Sequence, residues 1–200
     1  LPPADIAYRS VIAAASDLAA MGASPIGMLL AITLPTAEEV WLSRFAEGVR
    51  AASETTGLPL VGGDTTRGGL SITVTVMGST PASSCLRRDG ARPGDHVCVS
   101  GTLGDAAAGL AIIEGNLKAS DQAAAEFLKR RFSAPTVRLA LGESLLRVAT
   151  SAIDLSDGLL LDAEHVAKAS AVAIEIDSCK IPLSPAMRTL PDSSRSLQWA

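Results

Sequence analysis

Four aspartates stand without charged neighbours. Asp17 lies in Ala15-Ser16-Asp17-Leu18-Ala19-Ala20-Met21-Gly22. Asp64 lies in Gly62-Gly63-Asp64-Thr65-Thr66-Arg67, and Asp154 and Asp157 bracket Leu155-Ser156. A solvated acid usually has charged company; these have small, apolar or hydroxylated residues. Two carboxylates three residues apart in a tight turn can point to one place. At about 4 Å they would repel by ~1 kcal/mol in water and by ~4 kcal/mol at an effective dielectric of about 20. A divalent cation turns that repulsion into binding. Carboxylate oxygens with hydroxyls nearby suit Mg2+, which keeps some water and works with substrate phosphates. Each site has a plainer reading as well. Asp157 can be a helix N-cap, Asp64 the anchor of an Asx-type turn, and Asp17 an exposed helix position.

Two glycine-rich stretches can receive phosphate. Gly62 to Gly69 offers backbone amides, two hydroxyls and Arg67. Gly101-Thr102-Leu103-Gly104-Asp105 opens a helix, whose N-terminus favours an anion; plain strand-to-helix geometry explains it equally well. Neither stretch has the P-loop or dinucleotide-binding glycine pattern. Arg87 and Arg88 precede a turn, and one of them can clamp a phosphate or simply be solvated. His96 and His165 read as structural or exposed. There is no Cys/His metal spacing and no Gly-x-Ser-x-Gly elbow, so nucleophilic hydrolysis is disfavoured.

These groups must be held by ordinary elements. Asp5 to Met21 has helical spacing, with Gly22 as its stop. Ile26 to Leu34 reads as a buried strand. Thr36 with Glu39 reads as a capping box opening a helix with Trp41, Phe45, Val49 and Ala52 on one face and Gly57 at its end. Leu58 to Val61 is a short strand entering the first glycine-rich loop. Leu70, Ile72, Val74 and Val76 alternate with Ser71, Thr73 and Thr75, the mark of a half-buried antiparallel strand. The first part is thus α-β-α-β-β. Gly78 to Ser84 is small and polar, a boundary. Beyond it, strands are expected at His96–Val99, Ala152–Leu155 and Val172–Ile176. Helices are expected after Asp105 and over 121–131, 136–149 and 157–169. The last of these turns Leu159, Leu160, Ala163, Val166 and Ala167 inward.

Composition narrows the function classes. With 48% hydrophobic and 19% charged residues, the 200-residue chain is not a disordered one. No stretch approaches the ~18 uninterrupted apolar residues of a membrane span, so no membrane partner is expected. Aromatics are 3% and the formal net charge is −4, which leaves no basic stripe or stacking platform for nucleic acid. Cys85, Cys98 and Cys179 are too few and too scattered for a disulfide framework. They read as thiols in a reducing, cytoplasmic compartment. The chain does not begin with Met and reads as a fragment.

The motifs resemble a known family. Ser16-Asp17-Leu18-Ala19-Ala20-Met21-Gly22-Ala23, Gly62 to Gly68, Arg88 with Gly90-Ala91-Arg92-Pro93-Gly94-Asp95, Gly101 to Asp105, and Ile153-Asp154-Leu155-Ser156-Asp157-Gly158-Leu159 follow one another. In this order they are similar to the thiamine-monophosphate kinases of the aminoimidazole ribonucleotide synthetase superfamily, over essentially the whole chain. The resemblance implies a two-domain fold. Residues 1–82 would be an α+β, ATP- and metal-binding domain whose sheet pairs with its twin in a homodimer. Residues 83–200 would be an α/β domain. Both would be incomplete, since the family's N-terminal Gly-Asp-Asp and its later Gly-Gly-Glu-Asp-Tyr-Glu are not in this chain. Ala14-Ala15 stands where the family has Asn-Leu.

By the same resemblance, Asp17, Asp64, Asp154 and Asp157 are Mg2+ ligands, and Gly63, Asp64, Arg88 and Ser156 contact ATP. The implied reaction is ATP-dependent phosphorylation of thiamine monophosphate to thiamine diphosphate. Its acceptor is a phosphate oxygen already ionised at neutral pH, so no acid–base residue is required. Two alternatives differ in class: another ATP-using enzyme of the superfamily, or a non-catalytic nucleotide-binding module.

Overall fold

The computed structural model describes residues 1–190. The described residues form two compact units: Leu1–Arg87 with Thr136–Asp154, and Arg88–Pro135 with residues 155–190. The chain therefore does not divide at one point near residue 82. It passes between the units three times, and the second stretch of the first unit returns from beyond the expected boundary. The last ten residues of the expected second domain lie outside the described residues.

In the first unit, α1 (Pro3–Met21) starts on a proline and buries Ala7, Val11, Ile12, Ala15 and Leu18. That stripe repeats every three to four residues, the period of a helix lying on a core. Gly22 closes it in the left-handed conformation, with the amide of Ala23 donating to Leu18 O. β1 (Ser24–Leu34) follows, then α2 (Glu39–Thr56), β2 (Leu60–Arg67) and β3 (Ser71–Ser79). Sheet order is β2-β1-β3, parallel between β1 and β2 and antiparallel between β1 and β3. Parallel neighbours need a long crossover, and α2 is that crossover.

Met28, Ile32 and Leu34 of β1 join the buried residues of α1 and α2 in one core, with Ile72, Val74 and Val76 of β3 packed against it. The period-two face of β3 is thus a core face. Leu70 lies outside the strand and is exposed. Trp41 and Phe45 stack with centroids 5.0 Å apart. The expected capping box does not form: the N-cap is Glu38, without a side-chain cap, and Thr36 Oγ1 reaches only Glu38 Oε1 at 3.5 Å. α5 (Leu139–Leu145) docks on α1 through Gly142, where an added Cβ would meet Ala19 O at 2.0 Å. Ser24 Oγ also donates to Glu143 Oε1 at 2.6 Å. These contacts draw 136–154 into the first unit.

In the second unit, α3 (Asp105–Ile113) packs on α4 (Gln122–Ser133), with Asp121 accepting the Ala124 amide as N-cap. Ala108, Leu128, Met187 and Leu190 form the core there, completed by the short helix α7 (Pro185–Arg188). α6 (Leu159–Ser170) turns Leu159, Asp162 and Val166 inward, while Leu160 is 73% exposed. The expected inward Leu160 is therefore outward, and a carboxylate takes an inward place. The segments expected as strands at 96–99, 152–155 and 172–176 have no regular secondary structure. Residues 172–176 still alternate in exposure. Alternation alone names no pairing partner, and no ladder forms here.

Candidate functional site

The Ser-Asp motif on α1 meets the Asp-Leu-Ser-Asp motif through one hydrogen bond. Ser16 Oγ lies 2.7 Å from Asp154 Oδ2 and 2.7 Å from Ala13 O. It has a single proton to share between these acceptors. Asp154 is half-buried. Its segment is anchored from the other side, because Ser151 Oγ and the Ala152 amide both donate to Arg87 O, at 2.8 and 3.2 Å. Asp17 is the next residue along α1 and is exposed. It sits one turn before the Gly22 cap, on a helix fixed by its core stripe.

Gly63 and Asp64 are strand residues. The stretch read as a loop from residue 62 onward is β2 itself up to Arg67, in register with β1 from Leu29↔Gly62 to Leu34↔Arg67. Gly63 pairs with Leu30, and a Cβ there would lie 1.8 Å from Leu30 O. No other residue fits, so this glycine has a structural cause of its own. Asp64 pairs with exposed Ala31, and its Oδ1 accepts the Thr65 amide at 2.8 Å. That bond is not an Asx turn. By strand alternation Asp64 and Thr66 lie on the sheet face opposite the helices. Thr66 and Thr33 there share a hydroxyl hydrogen bond of 2.8 Å.

Ser156, Asp157 and Arg88 belong to the second unit. Asp157 is not the N-cap of α6; Gly158 is, with φ 108° and ψ 153°, a conformation essentially reserved for glycine. The buried carboxylate of Asp162 reaches back instead. Its Oδ2 accepts the amides of Ser156 at 3.0 Å and Asp157 at 3.2 Å. The Ser156 and Asp157 side chains are left exposed. At the far end of α6, Ser170 Oγ donates to Arg88 O at 2.7 Å and accepts the Ala91 amide at 3.1 Å. One helix therefore holds both loops. On its outer face, the hydrogen bond and charge of Lys168, 2.6 Å away, keep the Glu164 carboxyl below the ordinary range.

The Gly101–Asp105 turn already carries an anion. Asp105 is 1% exposed and accepts hydrogen bonds from Thr102 and Ser184, with Arg131 Nε 3.4 Å away. A buried, neutralised carboxylate in the first turn satisfies the helix terminus that a phosphate would use. Plain structural geometry is the better reading of this turn.

Residues 1–80 match the family described as AIR synthase related protein, N-terminal domain. All 200 residues align at 44% identity with thiamine-monophosphate kinase of Salmonella typhimurium, spanning 62% of that protein. AaThiL complexed with AMPPCP and TMP is 36% identical, with a TM-score of 0.88 over 94% of this chain and 60% of that one. The crystal structure of thiamine monophosphate kinase from Aquifex aeolicus matches with a TM-score of 0.92 and 33% identity. It covers all of this chain and 69% of its own. The chain belongs to the thiamine-monophosphate kinase family. Its fold is that of the AIR synthase-like proteins. It spans about 62% of the length of the curated thiamine-monophosphate kinase from Salmonella.

Carboxylate oxygens are the ligands a hard cation takes. Among the described residues, no three acidic, His or Cys side chains gather as a protein-only metal cage. Mg2+ does not need one. It is commonly held by one or two carboxylates, with water and substrate phosphates completing the octahedron. In the first unit Asp17 and Asp64 are exposed and Asp154 is half-buried; in the second, Asp157 is exposed, and each carries carboxylate oxygens of that type. Asp162 is the residue the sequence reading missed. Its place on the 159–162–166 stripe was the available signal: an acid where a leucine would be expected.

Proposed function

We propose that the protein containing this chain transfers the γ-phosphoryl group of ATP to the phosphate of thiamine monophosphate, releasing ADP and thiamine diphosphate. The observation that carries this reading is 44% identity over the full 200 residues of the chain to a thiamine-monophosphate kinase. A relative described in complex with AMPPCP, an ATP analogue, and TMP supports the two substrates.

In this reading a phosphate oxygen of thiamine monophosphate attacks the γ-phosphorus. The new P–O bond forms as the bond to the β-phosphate oxygen breaks, and that oxygen leaves on ADP. No proton has to be removed from the nucleophile. The protein's task is positioning and charge neutralisation. Asp17, Asp64, Asp154 and Asp157 would hold Mg2+. Gly63, Asp64, Arg88 and Ser156 would contact ATP. When bound, Mg2+ supplies positive charge against the phosphates. Ser16 holds Asp154 in one orientation, Asp162 shapes the Ser156-Asp157 turn, and Ser170 fixes the backbone that carries Arg88.

The protein would work as a homodimer. The sheet face bearing Asp64, Thr66, Thr73 and Thr75 is open, β2 is exposed along its whole length, and a second copy would cover both. Use of ATP supports a cytoplasmic location, and among the described residues no helix is long and apolar enough to cross a membrane. The test is incubation of the complete protein with MgATP and thiamine monophosphate. Thiamine diphosphate should accumulate. Nucleotide binding without that product would favour the non-catalytic module.

A further inference from the structure

We propose that Asp162 is a positioning residue for the nucleotide turn: its buried carboxylate fixes the Ser156-Asp157 backbone so that both side chains are presented outward. The proposal deepens the kinase reading and rests on it for the identity of the ligand.

Asp162 is 2% exposed, on the inward stripe of α6 between Leu159 and Val166. An aspartate there must be compensated, because a buried charge without partners is strongly disfavoured. The compensation comes from the turn. Asp162 Oδ2 accepts two successive amides, Ser156 at 3.0 Å and Asp157 at 3.2 Å. Side chains in the first turn of a helix tilt towards its N-terminus, which aims this carboxylate at the preceding segment. The unpaired amides of the helix start favour a negative charge in that place.

The geometry has a consequence for the two exposed side chains. Both amides pointing at one oxygen fixes two successive peptide planes. Gly158, at φ 108°, then turns the chain into the helix. Ser156 and Asp157 project from a backbone they do not themselves hold. Neither needs to use its side chain as an N-cap. A cap hydrogen bond would occupy the Asp157 oxygens; Asp162 performs that service from within. A carboxylate so buried is a poor candidate for contact with the nucleotide itself, so its effect passes through the turn.

Three variants of the complete protein test this. Asp162→Asn keeps an oxygen able to accept both amides but removes the charge. Asp162→Ala removes the acceptor. Asp162→Glu keeps the charge and displaces the oxygen. The first readout is amide hydrogen exchange over 155–158 without metal or nucleotide. Exchange should quicken by about tenfold or more in Asp162→Ala and Asp162→Glu, and by no more than about threefold in Asp162→Asn. The second readout is steady-state kinetics. KM for MgATP should rise about tenfold in the Ala and Glu variants, kcat should fall, and KM for thiamine monophosphate should stay within about twofold.

Should Asp162→Ala not fold, the Asn–Glu contrast carries the same decision. Wild-type exchange and wild-type KM for MgATP in Asp162→Glu would overturn the proposal. An Asn variant whose exchange and KM for MgATP rise about tenfold would also overturn it, since an uncharged acceptor in the same place would then not suffice. A wild-type protein that makes no thiamine diphosphate would instead refute the kinase reading, while the exchange comparison would still decide the role of Asp162 in the turn.

Discussion

Ser16 Oγ and Asp154 Oδ2 lie 2.7 Å apart although 138 residues separate them in the chain. Within the first unit the contact sets Asp154 against Ser16, the residue that precedes Asp17 on α1. It is the physical link that spacing alone does not supply.

Ser16→Ala removes the donor and leaves the Asp154 carboxylate with one hydrogen bond fewer. Hydrogen bonds to charged groups contribute about 1.5–3 kcal/mol, and partial exposure here reduces the loss to ~1 kcal/mol. A small drop in Tm is expected, with a severalfold higher Mg2+ requirement in turnover. Thermal melting with a metal titration checks both. A variant with wild-type metal dependence would show that Ser16 does not orient a ligand.

Asp154→Asn and Asp157→Asn keep side-chain size and remove a charge from a hard-cation ligand. Turnover should fall at every pH, and excess Mg2+ or Mn2+ should recover part of it by mass action. A general base would behave differently: unchanged metal dependence, with activity partly restored at higher pH. Rates against metal concentration at two pH values separate the two roles.

Gly63→Ala places a methyl group 1.8 Å from Leu30 O. Strand β2 must move away from β1 or lose its register. The expected cost is ~3 kcal/mol, at the upper end for overpacking. Chemical denaturation measures it directly. Near-wild-type stability would mean that β2 does not pair as described.

Asp105→Ala tests the reading of the Gly101–Asp105 turn as structural. Thr102 and Ser184 lose their acceptor, and Arg131 loses its buried counter-charge. Breaking such a pair costs about 3–5 kcal/mol. Stability should fall sharply while KM for MgATP of the folded fraction stays near wild type. A variant that is stable but binds MgATP poorly would return this turn to the phosphate-binding candidates.

Much of the first unit is legible in the sequence because its signals are periodic. The α1 stripe, the left-handed caps at Gly22 and Gly57, and the Ile72-Val74-Val76 alternation all follow from local geometry. The departures have two causes: a long-range strand partner in one case and competing local groups in the others. Gly62 to Arg67 looks like a loop because Gly62, Gly63 and Asp64 lack strand propensity, yet β1 pairs with it, and close approach at Leu30 explains Gly63. Thr36 and Glu39 have capping-box spacing, but the helix starts with Glu38 as its cap. Asp157 has the place of an N-cap, but Gly158 occupies that role and Asp162 receives the amides. The aspartates proposed as metal ligands stand out in the sequence by their uncharged surroundings. The residue that holds one of them was hidden in a helix whose apolar positions drew attention to Leu160 instead.

The central claim is direct phosphoryl transfer between two phosphates, and one measurement addresses it. The complete protein is given γ-labelled ATP, Mg2+ and thiamine monophosphate, and the label is followed into products. The label should appear in the terminal phosphate of thiamine diphosphate, one equivalent for each ADP formed. Label released only as inorganic phosphate, or retained in bound ATP with no thiamine diphosphate, would contradict the account.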